Sequence, residues 1–342
     1  MDSQVRRVQF GEAAAVCGFE LAGACRAESP DPEFSHYQQW VSGGNAGRMG
    51  YLTDHRGALR ADPRLLLPSA RSVLCVGKLY NAPGPVRSDD AAWISKYAWG
   101  ADYHDVMKVR LERLVDLLRE WWGPFESKVC VDTAPLLERA LARRAGLGWI
   151  AKNTCLINEP TGSWYFLGEV LVSVEVAPDS PPPDRCGTCT RCIDACPTGA
   201  IVDIAGMWSV DSRRCISYHT IELKGEIHPA DRPGIGGHIF GCDICQDVCP
   251  WNSRAPVTAE PAFQPLHATP VLEALAALSP EEFRDRFRSS PVWRTKYQGF
   301  LRNVAIAMGN LAHERYREPL QRLAAHPDPV IAAAATWALS RL

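Results

Sequence analysis

The stretch CGTCTRCIDACP, residues 186–197, decides the class of this protein. Its cysteines follow the spacing C-x2-C-x2-C-x3-C-P, in which the first three thiolates bind one iron–sulfur cluster and the fourth binds a second cluster. A zinc ribbon uses pairs of cysteines separated by a longer loop, so it has no use for the closely spaced third and fourth cysteines. The spacing therefore predicts a bacterial ferredoxin-like domain with two 4Fe-4S clusters.

A second cysteine group, GCDICQDVCPWN at 241–252, completes most of the ligand set. By the same crossover rule its last cysteine returns to the first cluster, which gives the set Cys186, Cys189, Cys192 and Cys249. The other cluster then lacks one ligand, and Cys215 in SRRCISYHT is the natural supplier, which gives the set Cys196, Cys215, Cys242 and Cys245. The remaining cysteines are predicted to be buried structural thiols: Cys17, Cys25, Cys75, Cys130 and Cys155.

Composition and charge limit the possible classes of protein. The 342 residues are 46% hydrophobic and 22% charged, which is typical of a globular chain with more than one domain. A net charge of -2 argues against an overall basic nucleic-acid binder but leaves room for a local basic face. Because the sequence has no apolar run of about 18 residues, we expect no membrane span.

The N-terminus could be misread as a twin-arginine export signal, because Arg6 and Arg7 precede the apolar stretch AAAVCGFELAGA. Glutamates interrupt this region, and its apolar residues fit an amphipathic first helix at least as well: Val8, Ala15, Val16, Phe19 and Leu21. In a chain without a convincing export signal, closely grouped cysteines indicate metal binding rather than disulfides. We therefore expect a cytoplasmic monomer.

The chain reads as an α+β multidomain protein with three parts. Residues 1–178 alternate β-rich segments (71–80, 127–133 and 168–176) with a strong amphipathic helix at 106–122, which predicts an α/β domain. A proline-rich stretch at 177–184 leads into the ferredoxin-like domain, placed at 179–258. Residues 259–342 are predicted to form a helical, HEAT-like tail, because 300–342 alternates apolar helical faces with a short HPDP break.

Several motifs together resemble the epoxyqueuosine reductases, the enzymes that complete queuosine at the wobble position of certain tRNAs. The resemblance covers the chain from about residue 48 to the end. It rests on the cluster pattern and on the segments KYAWGADYHDVMKVRLERL (96–114), CVDTAPLLERALARRAGLGWIAKNTCLI (130–157), GSWYFLGEVL (162–171), SYHTIELKGEI (217–227) and FLRNVAIAMGN (300–310).

This resemblance implies a cofactor and a reaction. It implies a cobalamin held base-off in the N-terminal domain beside the two clusters, and reduction of an epoxide to an alkene as the last step of queuosine biosynthesis. The partners would be tRNA carrying epoxyqueuosine in its anticodon loop and an unidentified low-potential electron donor. The sequence contains no Asp-x-His-x-x-Gly cobalt-ligand motif, which agrees with this expectation.

The resemblance also implies a catalytic residue, because the aspartate of the V-D-T-A-P motif, Asp132, matches the family's proposed proton donor. The alternative is structural, since an Asp or Thr before Ala-Pro is also a good helix N-cap. Capping would lower the pKa of the carboxyl group, whereas proton donation near neutral pH needs a raised pKa. We therefore expect Asp132 to be desolvated when cofactor and substrate are both bound.

Candidate binding residues complete the prediction. For cobalamin they are Arg56, Tyr97, His104, Lys108, Lys152 and Asn153, although the family commonly has histidine at position 153 and glycine at position 151. For tRNA they are Arg213, Arg214, Lys224, Arg294 and Lys296, with Arg302 and the aromatic residues Phe287, Trp293, Tyr297 and Phe300 in the same basic stretch. A solvated helix face is the alternative interpretation of that stretch.

Two other functions remain open from the sequence. A reductive dehalogenase-like enzyme would share cobalamin and two clusters but would reduce a small molecule, and it would normally carry an export signal. An electron-transfer iron–sulfur protein would hand electrons to a partner, but it would leave Asp132 and the large first domain without a purpose.

Overall fold

The computed structural model describes residues 1–85, 91–268 and 270–342 as a mixed α/β structure. Its strands are β1 Leu21–Arg26, β2 Ser72–Leu79, β3 Trp93–Ile94, β4 Ser127–Cys130, β5 Trp149–Ile150, β6 Leu156–Ile157, β7 Tyr165–Val172, β8 Ile201–Ile204, β9 Met207–Val210 and β10 His238–Phe240. Its helices are α1 Ser3–Val16, α2 Asp31–Ser42, α3 Arg56–Leu59, α4 Tyr103–Trp122, α5 Glu138–Arg144, α6 Arg191–Asp194, α7 Arg232–Ile235, α8 Ile244–Asp247, α9 Leu272–Ala276, α10 Pro280–Phe287, α11 Lys296–Leu311, α12 Arg317–Ala324 and α13 Pro329–Leu339.

The N-terminal part is built on a four-stranded antiparallel sheet with the strand order β1-β2-β7-β4. Every residue of β2 is buried, because α1 and α4 cover one face of the sheet and α5 covers the other. A strand covered on both faces reads as a continuous apolar run rather than an alternating one, which is how SVLCVGKL reads. The three predicted strands are present, but β4 and β7 end earlier than predicted, at Cys130 and Val172.

The first helix is shorter than the sequence suggested. It ends at Val16, and Leu21 already belongs to β1, a strand whose small residues carry little β signal. Phe10 and two alanines face the sheet, whereas Val8 and Val16 are 62% and 60% exposed. Ala15 is exposed as well, so the predicted apolar face is wrong at Val8, Ala15 and Val16. None of the helices in the described residues is both long and apolar enough to span a bilayer.

Helix α4 connects the sheet to the candidate site. The side chain of Asp102 caps its first turn by accepting a hydrogen bond from the His104 backbone, and Gly123 ends it with a φ of 81°. Met107, Leu111 and further apolar residues at helical spacing are buried against the sheet. This packing fixes the first turn of α4 at the edge of the sheet, next to the loop that follows β4.

The cysteine-rich part follows β7 and a stretch without helix or strand at 177–184. It carries the short helices α6 and α8, which pack on each other, and the hairpin of β8 and β9. The two-residue strand β3, from the first half of the chain, pairs with β10 in parallel. Residues 93–94 therefore pack with the cysteine-rich part although they precede it by about a hundred positions.

The C-terminal helices share one apolar core with residues 93–99 and 216–244. Arg302 on α11 is only 1% exposed, and its guanidinium donates to the carbonyl oxygens of His219, Leu223 and Gly225 at 2.6–2.8 Å. The side chain of Asn303 donates to Thr220 and Ile239. Arg302 and Asn303 therefore hold the segment 218–225 against α11.

Because Arg302 is buried, the predicted basic face is wrong in part. Arg302 cannot contact phosphate, because its donors are used inside the core. Phe287 and Phe300 are fully buried and pack on each other at 5.1 Å between ring centroids, so they cannot stack on bases. Trp293 and Tyr297 are only partly buried and remain near the surface.

Candidate active site

A cavity of about 1130 Å³ opens between the sheet and the cysteine-rich and C-terminal parts. Its walls come from the first turn of α4, the loop after β4, the segment 217–222 and residues 290–294. The residues that line it are Tyr51, Tyr80, Tyr97, Asp102, Tyr103, His104, Lys108, Glu112, Val129, Val131, Asp132, Thr133, Arg139, Tyr165, Phe166, Ser217, Ile221, Glu222, Ser290, Pro291, Trp293 and Arg294. Parts of the chain that lie far apart in sequence thus meet at one site.

Asp132 lies at this cavity, in the loop between β4 and α5. Its backbone has a φ of 47°, a left-handed conformation that is unfavourable for most non-glycine residues. Helix α5 starts only at Glu138, after Leu137, and no side chain caps it. The alternative interpretation of Asp132 as a helix N-cap is therefore wrong; Pro135 explains part of this, since a proline disfavours helical geometry in the residue before it.

The Asp132 carboxylate is paired with His104. The ring Nε2 of His104 lies 3.3 Å from Oδ2 of Asp132, and its Nδ1 lies 2.6 Å from Oδ1 of Asp102. Burial opposes the charge on the imidazole, but the two carboxylates outweigh it and raise the pKa of His104 to about 9. Burial alone would raise the pKa of Asp132, yet the hydrogen bond and positive charge of His104, with Arg294, hold it below the ordinary value. At neutral pH, therefore, the proton of the pair resides on His104.

This pairing predicts a pH-dependent stability. Because the pKa of His104 rises from 6.5 to about 9 on folding, its charge stabilises the folded state fully below pH 6.5, and that contribution is lost as the pH rises through 9. We expect His104→Gln to lower the midpoint of thermal unfolding most below pH 6.5 and least at pH 9. Anaerobic unfolding scans of both proteins would measure this; a pH-independent difference would contradict the assigned charge.

A cation faces the same cavity from the C-terminal part. Arg294 binds Glu222 at 2.8 Å and lies 5.5 Å above the ring of Tyr51. Burial opposes its charge, but the Glu222 carboxylate more than compensates and raises the pKa of Arg294. The guanidinium is therefore a permanent positive charge close to Asp132.

The other basic residues predicted to contact tRNA lie at different places. Lys224 donates from Nζ to the Arg294 carbonyl oxygen at 2.9 Å, and Lys296 lies 4.4 Å above the ring of Trp293. Both therefore cluster beside Arg294. Arg213 and Arg214 instead pair with Asp211 at 2.9 and 3.7 Å, next to Cys215, and neither lines the cavity.

The residues predicted to contact cobalamin also divide into two groups. Tyr97, His104 and Lys108 line the cavity, and the Arg56 guanidinium lies 5.9 Å from the ring of Tyr51 while it pairs with Asp54. The second group lies elsewhere: Lys152 donates to the carbonyl oxygens of residues 187 and 189, and Asn153 donates to that of residue 245. These two side chains hold the cysteine loops and do not line the Asp132 cavity.

The cysteines assigned to the first cluster lie around a second, smaller cavity of about 340 Å³. Cys186, Cys189, Cys192 and Cys249 all line it. Burial raises the pKa of the Cys192 thiol, and the neighbouring Cys186 and Cys249 add to this. Lys152 and the exposed Arg191 line the same cavity, which therefore lies near the protein surface.

The cysteines assigned to the second cluster lie deeper. Burial raises the pKa of Cys242, with further contributions from Cys215 and Cys196, and Cys245 is affected in the same way by Cys242 and Cys215. Cys215 therefore contributes to the raised pKa of both Cys242 and Cys245. In the described residues no three His, Cys, Asp or Glu side chains are grouped tightly enough for a single metal ion. Four of the five remaining cysteines are buried, and Cys155 is partly buried.

Comparisons with known proteins agree with the cysteine pattern and with the motifs around Asp132. Residues 185–252 match the family described as 4Fe-4S double cluster binding domain, and residues 60–133 match "Epoxyqueuosine reductase QueG, DUF1730". The epoxyqueuosine reductase of Pseudomonas aeruginosa is 40% identical over 337 residues, which cover 95% of this chain and 91% of the relative. This chain belongs to the epoxyqueuosine reductase family.

Further members support the same assignment. The epoxyqueuosine reductases of Xanthomonas campestris and Escherichia coli are 42% and 39% identical, each over 86% of this chain and over 83% and 78% of their own lengths. A crystal structure of an epoxyqueuosine reductase with an epoxyqueuosine-modified tRNA-Tyr stem loop superimposes with a TM-score of 0.89, at 32% identity over 98% of this chain and 89% of that one. The resemblance inferred from the motifs and the two-cluster domain are thereby confirmed.

One solved epoxyqueuosine reductase bears on the strained loop. The enzyme from Bacillus subtilis, with a TM-score of 0.89 at 31% identity over 98% of this chain and 89% of that one, is described with a catalytic aspartate loop swung out of the active site. In the present chain, the loop after β4 carries Asp132, whose backbone adopts a left-handed conformation.

Sequence reasoning missed three residues of the site. Tyr51 and Glu222 position Arg294, and Asp102 positions His104. Asp102 could have been found, because Asp followed by a strong amphipathic helix is an N-cap signal. Tyr51 and Glu222 carried no local signal, since their role depends on a contact with a residue at least 72 positions away.

Proposed function

We propose that this protein reduces epoxyqueuosine in tRNA to queuosine, the last step of queuosine biosynthesis, at the cavity around Asp132. The observation that carries the proposal is one cavity that joins an acid–base pair, His104 and Asp132, to the permanent cation of Arg294. Its wall also includes Ser217, two residues after the proposed cluster ligand Cys215. The site therefore combines a proton source, an anion-binding group and an electron route, as the reduction of an epoxide requires.

Cobalamin is the cofactor that we propose for this cavity. Tyr97, Tyr103 and Phe166 supply apolar area for a large macrocycle, while Lys108 and Arg56 supply donors for its polar side chains. His104 is the one histidine among the described lining residues, and both of its ring nitrogens face carboxylates. A base-off cofactor without a protein histidine fits this arrangement. When bound, cobalamin would supply a metal centre that accepts single electrons and acts on the epoxide carbon.

The two cysteine groups define a proposed direction of electron flow. The first group lies near the surface, where a low-potential donor could reach its cluster. The second group lies closer to the cavity: Asp243, next to Cys242, accepts from the Lys96 backbone at 2.7 Å, and Tyr97 follows directly in the cavity wall. Electrons would pass from the surface cluster to the inner cluster and then into the cavity.

Protons are supplied by the chain itself in this proposal. Loss of the epoxide oxygen as water takes two electrons and two protons, so an acid must lie beside the leaving oxygen. His104 holds a proton next to Asp132 at neutral pH. Binding of the cofactor and nucleoside would desolvate Asp132 further and raise its pKa, so that it could accept this proton and deliver it to the oxygen.

We also propose how the chain divides into domains. We place the catalytic, cobalamin-binding domain at 1–178, the two-cluster domain at 179–258 and a HEAT-like domain at 259–342, in a cytoplasmic enzyme. The packing of α11 with α12 and α13 supports a helical-repeat tail. Strand β3 of the first part pairs with β10 of the second, so these two parts are in direct contact.

The tRNA phosphates are proposed to meet the basic residues around Arg294. We expect Arg294→Ala to weaken binding of the modified stem loop several-fold and to reduce the slope of log affinity against log salt by about 1, because one phosphate contact is lost. Arg341→Ala is the matched control, since Arg341 stacks on Trp337 at the far C-terminus. Fluorescence titrations at several salt concentrations would measure both; equal slopes in the two variants would exclude a phosphate contact at Arg294.

The reaction is tested by nucleoside mass analysis. The protein, with clusters reconstituted, is incubated anaerobically with cobalamin, a strong reductant and tRNA that carries epoxyqueuosine. The proposal predicts queuosine, lighter by one oxygen, only when cobalamin is present. Intact clusters and bound cobalamin without conversion would contradict it and favour a small-molecule reductase instead; no cobalamin binding at all would favour an electron-transfer protein.

A further inference from the structure

A fully buried hydroxyl group joins the two chain segments that carry Cys215 and Cys242. Thr220 is 0% exposed. Its hydroxyl donates to the Ile216 carbonyl oxygen at 2.8 Å and accepts from the Gly241 backbone amide at 3.0 Å. Ile216 follows Cys215 directly, and Gly241 precedes Cys242 directly. One side chain therefore bridges the immediate neighbours of two proposed ligands of the inner cluster.

Such a bridge is needed because the inner cluster takes its proposed ligands from separate parts of the chain. Three of the four ligands proposed for the surface cluster come from the single run 186–192, whose spacing brings the thiolates together locally. The inner cluster instead draws on three separate positions: Cys196, Cys215 and the pair of Cys242 and Cys245. A tertiary contact must therefore set the distance between these segments.

Two side chains of α11 hold the same bridge from the C-terminal part. Asn303 donates from Nδ2 to the carbonyl oxygens of Thr220 and Ile239 at 2.7 and 2.9 Å, so it joins both sides of the bridge. Arg302 donates from Nη2 to Oδ1 of Asn303 at 2.9 Å and thereby orients the amide. Both α11 residues are 1% exposed. Thr220, Arg302 and Asn303 thus form one buried polar clamp.

The polar clamp also reaches the backbone of Cys215. Nη2 of Arg302 donates to the His219 carbonyl oxygen at 2.7 Å, and the His219 amide donates to the Cys215 carbonyl oxygen at 3.1 Å. His219 belongs to Tyr218–Glu222, a turn of π-helix, which is a rare helical form that occurs frequently at functional sites. A continuous path of hydrogen bonds therefore connects α11 to the proposed ligand Cys215.

The backbone around Cys242 is held on both sides. Asp243, which follows it, is 2% exposed, and its carboxylate accepts from the Trp93 ring at 3.2 Å and from the Lys96 amide at 2.7 Å. On the other side, the amide of the preceding glycine bonds to Thr220. The first part of the chain therefore fixes the run around Cys242, and Thr220 relates that run to the segment with the other ligand.

We propose that the polar clamp is a positioning device for the inner cluster, which holds Cys215 and Cys242 at the separation that one 4Fe-4S cluster requires. The inference rests on the proposed function through the ligand set Cys196, Cys215, Cys242 and Cys245. Thr220 and Asn303 are positioning residues, because they act through the backbone beside the ligands. The distance between the ligands is then set before iron and sulfide bind.

The polar clamp makes the C-terminal part a component of the cluster site. Helix α11 begins at Lys296, beside the proposed tRNA contact Arg294, and carries Arg302 and Asn303 roughly two turns further on. Loss of the clamp should therefore slow the passage of electrons into the cavity even though every proposed cysteine ligand remains.

Thr220→Val tests the clamp, because valine matches threonine in shape and lacks the hydroxyl. The buried Gly241 amide then has no acceptor, so the backbone beside Cys242 is free to shift. We expect the inner cluster to lose iron to a chelator roughly fivefold faster, the factor to which one hydrogen bond corresponds, while the surface cluster keeps its wild-type rate. Anaerobic iron release and electron paramagnetic resonance of the reduced, fully loaded protein distinguish the clusters, with Cys215→Ala as the reference for the surface cluster alone.

Three further variants separate positioning from a general loss of stability. Thr220→Ser keeps the hydroxyl and should retain the wild-type rate of iron release. Asn303→Asp keeps the acceptor for Arg302 but loses both donated bonds, so it should release inner-cluster iron faster than wild type. Thr336→Val removes a hydroxyl that also donates to the carbonyl oxygen four residues earlier at 2.8 Å, but on the exposed face of α13, and it should match wild type.

The outcomes separate the clamp from the proposed function, because iron release requires neither cobalamin nor tRNA. Wild-type iron release in both Thr220→Val and Asn303→Asp would exclude the clamp, and so would an equal acceleration at both clusters, which indicates a loosened core. If Thr220→Val yields no folded protein, Asn303→Asp decides alone. If the variants behave as predicted but wild type does not convert epoxyqueuosine, the proposed function fails and the clamp stands. If wild type converts epoxyqueuosine and the variants keep their iron, the clamp fails and the proposed function stands.

Discussion

Replacing Asp132 with asparagine is expected to lower the single-turnover rate of epoxyqueuosine reduction by roughly 10²- to 10⁴-fold, the range lost when a positioned general acid is removed. Asparagine keeps the size of the side chain but cannot carry the proton that His104 holds beside it. Affinity for the tRNA stem loop should change little. Quenched-flow conversion followed by nucleoside mass analysis measures the rate, and fluorescence titration measures the affinity.

Asp105→Asn is the matched control for this variant. Asp105 lies on the exposed side of the first turn of α4 and does not line the cavity, so its loss changes the net charge equally but should leave the rate unchanged. If Asp132→Asn kept the wild-type rate, the proton donor would have to be another group. His104, whose pKa is raised to about 9, would then be the next candidate.

Replacing Cys215 with alanine is expected to abolish conversion, because the inner cluster would lose one of its four proposed ligands. About half of the iron and sulfide should be lost after anaerobic reconstitution, since the first group of cysteines would still hold its own cluster. Iron analysis and electron paramagnetic resonance of the reduced protein would measure this directly. The absent cluster interrupts the proposed path between the surface cluster and the cavity.

Cys17→Ala is the control for cysteine removal, since Cys17 is buried at the C-terminal end of α1, far from the cluster loops in sequence. Its iron content and conversion rate should match wild type. A full complement of iron in Cys215→Ala would show that a different residue completes the inner cluster, and Cys155, which is partly buried and contributes to the raised pKa of the inner cysteine Cys245, would be the first to examine.

The two-cluster domain could be predicted from the sequence because the local spacing of its cysteines is specific for 4Fe-4S clusters. The short helices α6 and α8 carry one cysteine each, Cys192 and Cys245, and the other cysteines of each run lie within a few positions, so the pattern can be recognised without knowledge of the tertiary fold. Cys215 could be proposed from the sequence because the two cysteine runs leave the second cluster one ligand short. The amphipathic helix α4 and the buried strand β2 could also be predicted, since the helical spacing of apolar residues in α4 and the continuous apolar run of β2 indicate which faces are covered.

The electrostatics of the site could not be predicted in this way. The pKa of Asp132 depends on His104, 28 positions earlier in the chain, and on Arg294, from another part of the chain altogether. Arg302 looked like a phosphate contact because its charge is visible in the sequence and its burial is not. Lys152 and Asn153 were assigned to the cofactor, but a single polar pair gives no indication of which of two neighbouring cavities it serves.

An experimental structure with cobalamin and an epoxyqueuosine-modified stem loop bound would test whether protons, electrons and substrate meet in the Asp132 cavity. We expect the corrin to lie against Tyr97 and Tyr103, and the epoxide oxygen to lie about 3 Å from the Asp132 carboxyl group. An epoxide bound outside this cavity, or turned away from Asp132 with the cofactor in place, would contradict it.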